Sequence, residues 1–153
     1  MSDTNNLFDT KFQNFLRELI EIAFEYVNNN YDEVDEVYVI GLIESGYFYK
    51  PFYKINNIVL KSHKINTVSK MQYDISNDRS FKMLNLGNET LRNIEALFLD
   101  DNREVPTMLK LAYCPKTGKF NSDFSYEKTF TNQKSKTAQD VYEEWFNEIE
   151  KNN

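Results

Sequence analysis

The sequence predicts an α+β domain: a mainly antiparallel sheet of about five strands with an N-terminal, a middle and a C-terminal helix, in the order α-β-β-β-α-β-β-α. Three observations carry the prediction. Residues 109–113 place Leu109, Leu111 and Tyr113 on alternate positions. From 120 to 130, Phe120, Phe124, Tyr126 and Phe130 share one parity, while Asn121, Asp123, Ser125, Glu127 and Thr129 share the other. Period two with one polar face is the pattern of antiparallel strands packed on a core from one side. Residues 138–149 change period: Ala138, Val141, Tyr142, Trp145, Phe146 and Ile149 keep i, i+3, i+4, i+7 spacing, which is one apolar stripe of a helix.

Taken in order, residues 9–29 predict the first helix. Phe8, Phe12, Phe15, Leu16, Leu19, Ile22, Ala23 and Tyr26 form its stripe, and Glu18, Glu21 and Glu25 lie largely opposite. Asn28, Asn29 and Asn30 end it, because Asn tolerates the left-handed cap conformation. Residues 31–36, with four carboxylates in five positions, read as a linker. Residues 37–43 are β-branched and nearly all apolar, which suits a central strand. After a turn at Glu44-Ser45-Gly46 comes a strand over 47–55. Pro51 removes a ladder donor, so an edge position or a bulge is expected there. A third strand starts at Ile58 and runs towards Ile65. Residues 61–80 show little period. A helix is expected over 88–99, extending back to Phe81 only if Gly87 is tolerated inside it. Pro115-Lys116-Thr117-Gly118 provides turn chemistry between the last two strands. Thr137 with Asp140 three residues on has the spacing of a capping box for the final helix.

The totals bound the class of protein. A chain of 153 residues is read as one domain, 1–153, able to bury about two-thirds of its unfolded surface. With 41% hydrophobic residues, 12 Phe and 10 Tyr, it is not a disordered chain. No apolar run approaches the roughly 20 residues that span a bilayer, and residues 1–4 lack the features of a signal peptide. The expectation is a cytoplasmic protein without a membrane partner. Its single cysteine, Cys114, excludes an internal disulfide.

Charge is unevenly distributed. The net charge of −6 argues against direct nucleic-acid binding, which needs a basic footprint. Between Arg17 and Lys50 there is no cation, but there are eight acids: Glu18, Glu21, Glu25, Asp32, Glu33, Asp35, Glu36 and Glu44. From Lys50 to Lys82 seven cations face only Asp74 and Asp78. Either both blocks are solvated faces that partly pair with each other, or the acidic block is aimed at a basic partner. On the second reading the partner-binding residues are Glu18, Glu21, Glu25, Asp32, Glu33, Asp35 and Glu36.

Motifs for chemistry are few. His63 is the only histidine, so a histidine dyad or a multi-histidine metal site within one chain is excluded. Cys114 has no CxxC partner and reads as a structural thiol. The clusters Asp32, Glu33, Asp35, Glu36 and Asp100, Asp101, Glu104 lack the glycine-bearing ligand loop of an EF-hand. There is no P-loop, GxGxxG or GxSxG. Tyr47, Phe48, Tyr49, Phe52 and Tyr53 with Lys50 and Lys54 look like a base-stacking platform, against the plainer reading of sheet packing. No cofactor, metal or catalytic residue is expected. The rival classes are a small carboxylate-dependent enzyme and a regulatory interaction module.

The C-terminal third carries a resemblance. Met108-Leu109-Lys110-Leu111, the turn Thr117-Gly118, and Lys119-Phe120-Asn121-Ser122-Asp123-Phe124-Ser125-Tyr126-Glu127 resemble the GKF-x-x-DF-x-Y-E/D signature of the YezG-like immunity proteins. Asp140-Val141-Tyr142-Glu143-Glu144-Trp145-Phe146 is similar to that family's closing helix. Residues 107–150 hold most of the match, and the family's Pro-x-x-Trp has no counterpart at 34–37. The resemblance implies a cytoplasmic antitoxin that neutralises a cognate polymorphic toxin, often a nuclease, by occluding its active site. An inhibitor of a nuclease presents carboxylates where the substrate's phosphates would lie, which suits the acidic block.

Overall fold

The computed structural model describes residues 2–153, with side chains from residue 6 onward. The elements are α1 (Ser2–Tyr26), β1 (Val34–Ile43), β2 (Tyr47–Ile55), β3 (Ile58–Lys61), a 3₁₀ turn (Ser62–Thr67), α2 (Asn77–Asp100), β4 (Met108–Tyr113), β5 (Phe120–Ser125) and α3 (Ala138–Lys151). All five strands join one antiparallel sheet in the order β3-β2-β1-β4-β5. The fold is α+β in the expected order of elements.

The centre of the sheet is β1, with β2 on one side and β4 on the other. Its residues alternate between two cores. Val37, Val39 and Ile43 face α1 and α2, while Tyr38, Ile40 and Leu42 face α3. Two covered faces explain why β1 reads as an unbroken apolar run. β5 lies at the sheet's edge, and residues 120–123 are exposed. β5 is therefore the rim of the sheet, whereas β4 lies inside it and fully buries Leu109 and Leu111, as their alternation predicts. Alternation reports a strand's two faces and says nothing about its place in the order.

Local chemistry sets the helix ends. α1 stops at Tyr26, and Asn28 and Asn29 then take φ of 55° and 52°. α3 carries the full capping box: Thr137 accepts from the Asp140 amide, and Asp140 accepts from the Thr137 amide at 2.9 Å. α2 is twice as long as the 88–99 stretch and runs through Gly87. A Cβ at Gly87 would stand 2.1 Å from Cγ of Tyr49, so the ring of β2 lies flat where a side chain would be. That close approach is the reason for glycine inside the helix. Ser76 caps α2 by accepting from the Arg79 amide at 3.3 Å.

Pro51 sits inside an interior strand without a bulge. β3 pairs only with 52–55, so Pro51 lies one residue beyond its reach and no donor is missed on that side. β3 ends at Lys61, and the 3₁₀ turn that follows buries Ile65.

Two phenols fix α1 on the sheet. Tyr49 donates to the Leu19 carbonyl and Tyr53 to the Ala23 carbonyl, both at 2.7 Å and buried. On the opposite face Trp145 packs edge-on to Tyr38 and Phe52, at 5.8 and 5.0 Å between ring centroids. Tyr49, Phe52 and Tyr53 are thus core residues, and Lys50 is held by Gln139 at 3.0 Å above the Tyr142 ring. Burial lowers the Lys50 pKa. Nothing of the base-stacking reading of this strand is presented to solvent by those three rings.

Candidate partner-binding surface

The seven acids of the candidate site divide into two groups. Glu18, Glu21 and Glu25 stand exposed on the outer side of α1, opposite the buried Leu16, Leu19, Ile20 and Ala23. Spacings of three and four residues put them on one strip of the helix. Asp32 is exposed a few residues further on. Among the described residues, no cation forms an ion pair with these four carboxylates.

Glu33, Asp35 and Glu36 belong to the fold instead. Residues 34–36 are not linker; they open β1, with a register shift between Val34 and Glu36. Glu33 is 5% exposed. Its carboxylate accepts from the Lys70 amide at 2.8 Å, the Met71 amide at 3.4 Å and the Tyr73 hydroxyl at 2.7 Å, with Asn30 and Asn56 at 3.5 and 3.4 Å. Burial alone would raise its pKa; these donors outweigh burial and hold it below the usual value. Asp35 accepts from the Asn57 amide at 2.8 Å and from Lys116 at 2.9 Å. Its pKa is lowered as well, since those partners outweigh burial. Glu36 goes the other way: burial raises its pKa against the pull of Lys54 and Lys119.

The eighth acid, Glu44, has a role that its sequence context did not signal. It accepts from the amides of Thr129, Phe130 and Thr131 at 2.6, 2.9 and 3.0 Å. One carboxylate at the end of β1 thus fastens the connection that leads into α3. Burial raises its pKa and the three amides more than reverse that. The donors lie 85 or more residues away in sequence, so no local pattern could reveal them.

The two charge blocks meet where Lys54 stands opposite Glu36 in the β1–β2 ladder and attracts the Glu36 and Asp35 carboxylates. The ion pairs of the described residues are Lys61–Glu143, Arg103–Asp101, Lys116–Asp35 and Lys136–Glu144. None joins the acidic block to the Lys50 to Lys82 block. Arg79 is used on the backbone: it donates to the Glu25 and Tyr26 carbonyls at 2.8 and 3.3 Å, at the C-terminal end of α1.

Beside the acidic strip lies a groove of about 530 Å³ between α1 and the β4–β5 hairpin. Arg17, Glu21 and Phe24 of α1, Tyr31 of the following connection, Tyr113 of β4 and Phe120 of β5 line it. Tyr31 stands perpendicular to Phe24 at 5.3 Å, and Tyr113 is inclined 70° to it at 6.2 Å. Tyr31 is 54% exposed and Phe120 36%. Sequence reasoning placed Tyr113 and Phe120 in a core and Tyr31 in a polar linker. An aromatic set among acids was the available signal.

His63 is exposed in the 3₁₀ turn and Cys114 is half-buried at the end of β4. Among the described residues, no three His, Cys, Asp or Glu side chains converge as metal ligands, and no helix is long and apolar enough to cross a membrane. No protein-family model matches the chain, and no curated protein matches it.

Proposed function

We propose that the chain is an immunity protein that binds a basic toxin domain, a nuclease, through the outer face of α1 and occludes its active site. The observation that carries this reading is the strip Glu18, Glu21, Glu25 and Asp32: four exposed carboxylates without a cation of their own. A carboxylate strip on a rigid helix is a mimic of a phosphate row, and its field speeds encounter with a basic cleft. The resemblance to the YezG-like signature lies in 107–150, the segment that forms β4, β5 and α3.

The test is co-expression with the product of the neighbouring gene. Rescue of growth together with a stable complex is the expected result. The association rate should fall steeply between 0.05 and about 0.15 M salt, where the Debye length shortens to about 8 Å. Changing Glu18, Glu21, Glu25 and Asp32 together to Lys should abolish the salt dependence and slow association at least tenfold. A complex whose association is indifferent to that change would remove the acidic strip as the toxin contact, and absence of any complex would remove the immunity reading.

A further inference from the structure

We infer that the groove between α1 and the β4–β5 hairpin receives one cationic side chain, an arginine or lysine, from the protein partner. This rests on the reading above in one respect, that the partner is a basic protein. The groove itself is argued from its walls.

Its rings come from different elements and turn in different directions. Phe24 is fixed in the core side of α1, Tyr31 crosses it at 90°, Tyr113 at 70°, and Phe120 stands on the hairpin side. Four rings so gathered around one space of about 530 Å³ make an aromatic corner within the size range of small-ligand sites. Ring faces attract cations, most strongly for Arg. Glu21 and Arg17 both line the wall, and Glu18 and Asp32, each next in sequence to a lining residue, are exposed. Three carboxylates against one guanidinium leave these surroundings net negative, which disfavours an anionic guest and favours a cationic one.

Among the described residues, no cation is set over a ring of the groove. Elsewhere the protein sets Lys50, Lys61, Arg79, Arg92, Arg103 and Lys110 over rings, at 3.7 to 5.7 Å from the centroids. Those rings are Tyr142, Phe146, Tyr26, Tyr47, Phe8 and Trp145; none belongs to the groove. Arg17, which lines the groove, donates to Asn14 at 3.4 Å on the exposed face of α1. A large aromatic left 54% exposed beside unpaired acids is the kind of surface that binding covers.

The experiment uses the full chain and three blocked pentapeptides, Gly-Ser-X-Ser-Gly, with X as arginine, lysine or citrulline. Citrulline keeps the shape of arginine and removes its charge. Titrations are followed by the ring-proton shifts of Tyr31 and Tyr113. The expected result is saturable binding of the arginine peptide, with citrulline at least about fivefold weaker. Glu21→Gln and Tyr31→Ala should each weaken the arginine peptide by about fivefold or more, while Arg17→Gln should tighten it by removing the competing charge. All three side chains are exposed, so folding is retained and a thermal melt checks it. Equal binding of citrulline and arginine, or indifference to Tyr31→Ala, overturns the proposal. The two readings fail separately. A complex with the neighbouring gene's product that survives Tyr31→Ala and Phe120→Ser unchanged removes the groove as a contact and leaves the toxin reading standing. Arginine binding without any such complex removes the toxin reading and leaves the groove.

Discussion

Glu33 and Glu18 are the same side chain in the same acidic stretch of sequence, yet one is inside the fold and the other on its crest. Glu33 and Glu44 each collect backbone amides from a loop far away in the chain, whereas Glu18, Glu21 and Glu25 collect none. The difference teaches that a charge block is not a surface. A carboxylate is drawn inward where unpaired amides of a turn need an acceptor, and it is then worth more to stability than any exposed ion pair.

The sharpest break of this comparison is Glu33→Ala. It leaves two amides and the Tyr73 hydroxyl without their acceptor in a site 5% exposed, and should lower stability by about 3 kcal/mol in urea denaturation. An unchanged midpoint would mean that water replaces the carboxylate. Glu44→Ala should follow at about 2 kcal/mol, with faster amide hydrogen exchange concentrated at Thr129, Phe130 and Thr131. Uniform acceleration across the sheet would contradict a local fastening.

Acid titration separates the two groups without any mutation. Glu33, Asp35 and Glu44 have folded pKa values below their unfolded ones, so their contribution is complete above about pH 4.5 and fades as pH falls through the folded values. Replacing Glu33 and Glu44 by Gln should flatten that acid limb. Glu36 has the opposite sign: its pKa is raised by burial, so its ionisation destabilises the fold above that value. Glu36→Gln should therefore raise the melting temperature slightly at pH 7 and leave it unchanged near pH 3. The smallest expected effect belongs to the crest. Glu18, Glu21 and Glu25 changed together to Gln should leave the urea midpoint almost where it is, since exposed charges contribute little. A large loss there would place them among the structural acids.

The order of elements was legible because it rests on short-range signals. Thr137 with Asp140, the asparagines after Tyr26, and the β-branched run of β1 act within one turn or one strand, and each falls where its local chemistry puts it. What was not legible depends on residues far apart. Gly87 is accepted inside α2 because of Tyr49, 38 positions away, and Glu33 is buried because Lys70, Met71 and Tyr73 come to it. The acids of the site were read from charge alone, so four of the seven fell on the surface and three proved to be built into β1 and its entry. The groove went unread for a similar reason: its rings come from α1, a connection and two strands, and each taken singly reads as packing.

The two phenols on β2 have a mechanical consequence. Tyr49 and Tyr53, four residues apart on the strand, hold carbonyls four residues apart on α1. Sliding the helix along the sheet by one turn, about 5.4 Å, would break both bonds together. They act as an index that fixes the height of α1 on the sheet. Glu18 and Glu21 flank Leu19, and Glu25 follows Ala23 by two, so the charged strip inherits that setting. A partner meets a ruler whose marks are already in place, and little ordering of the helix remains to be done on contact.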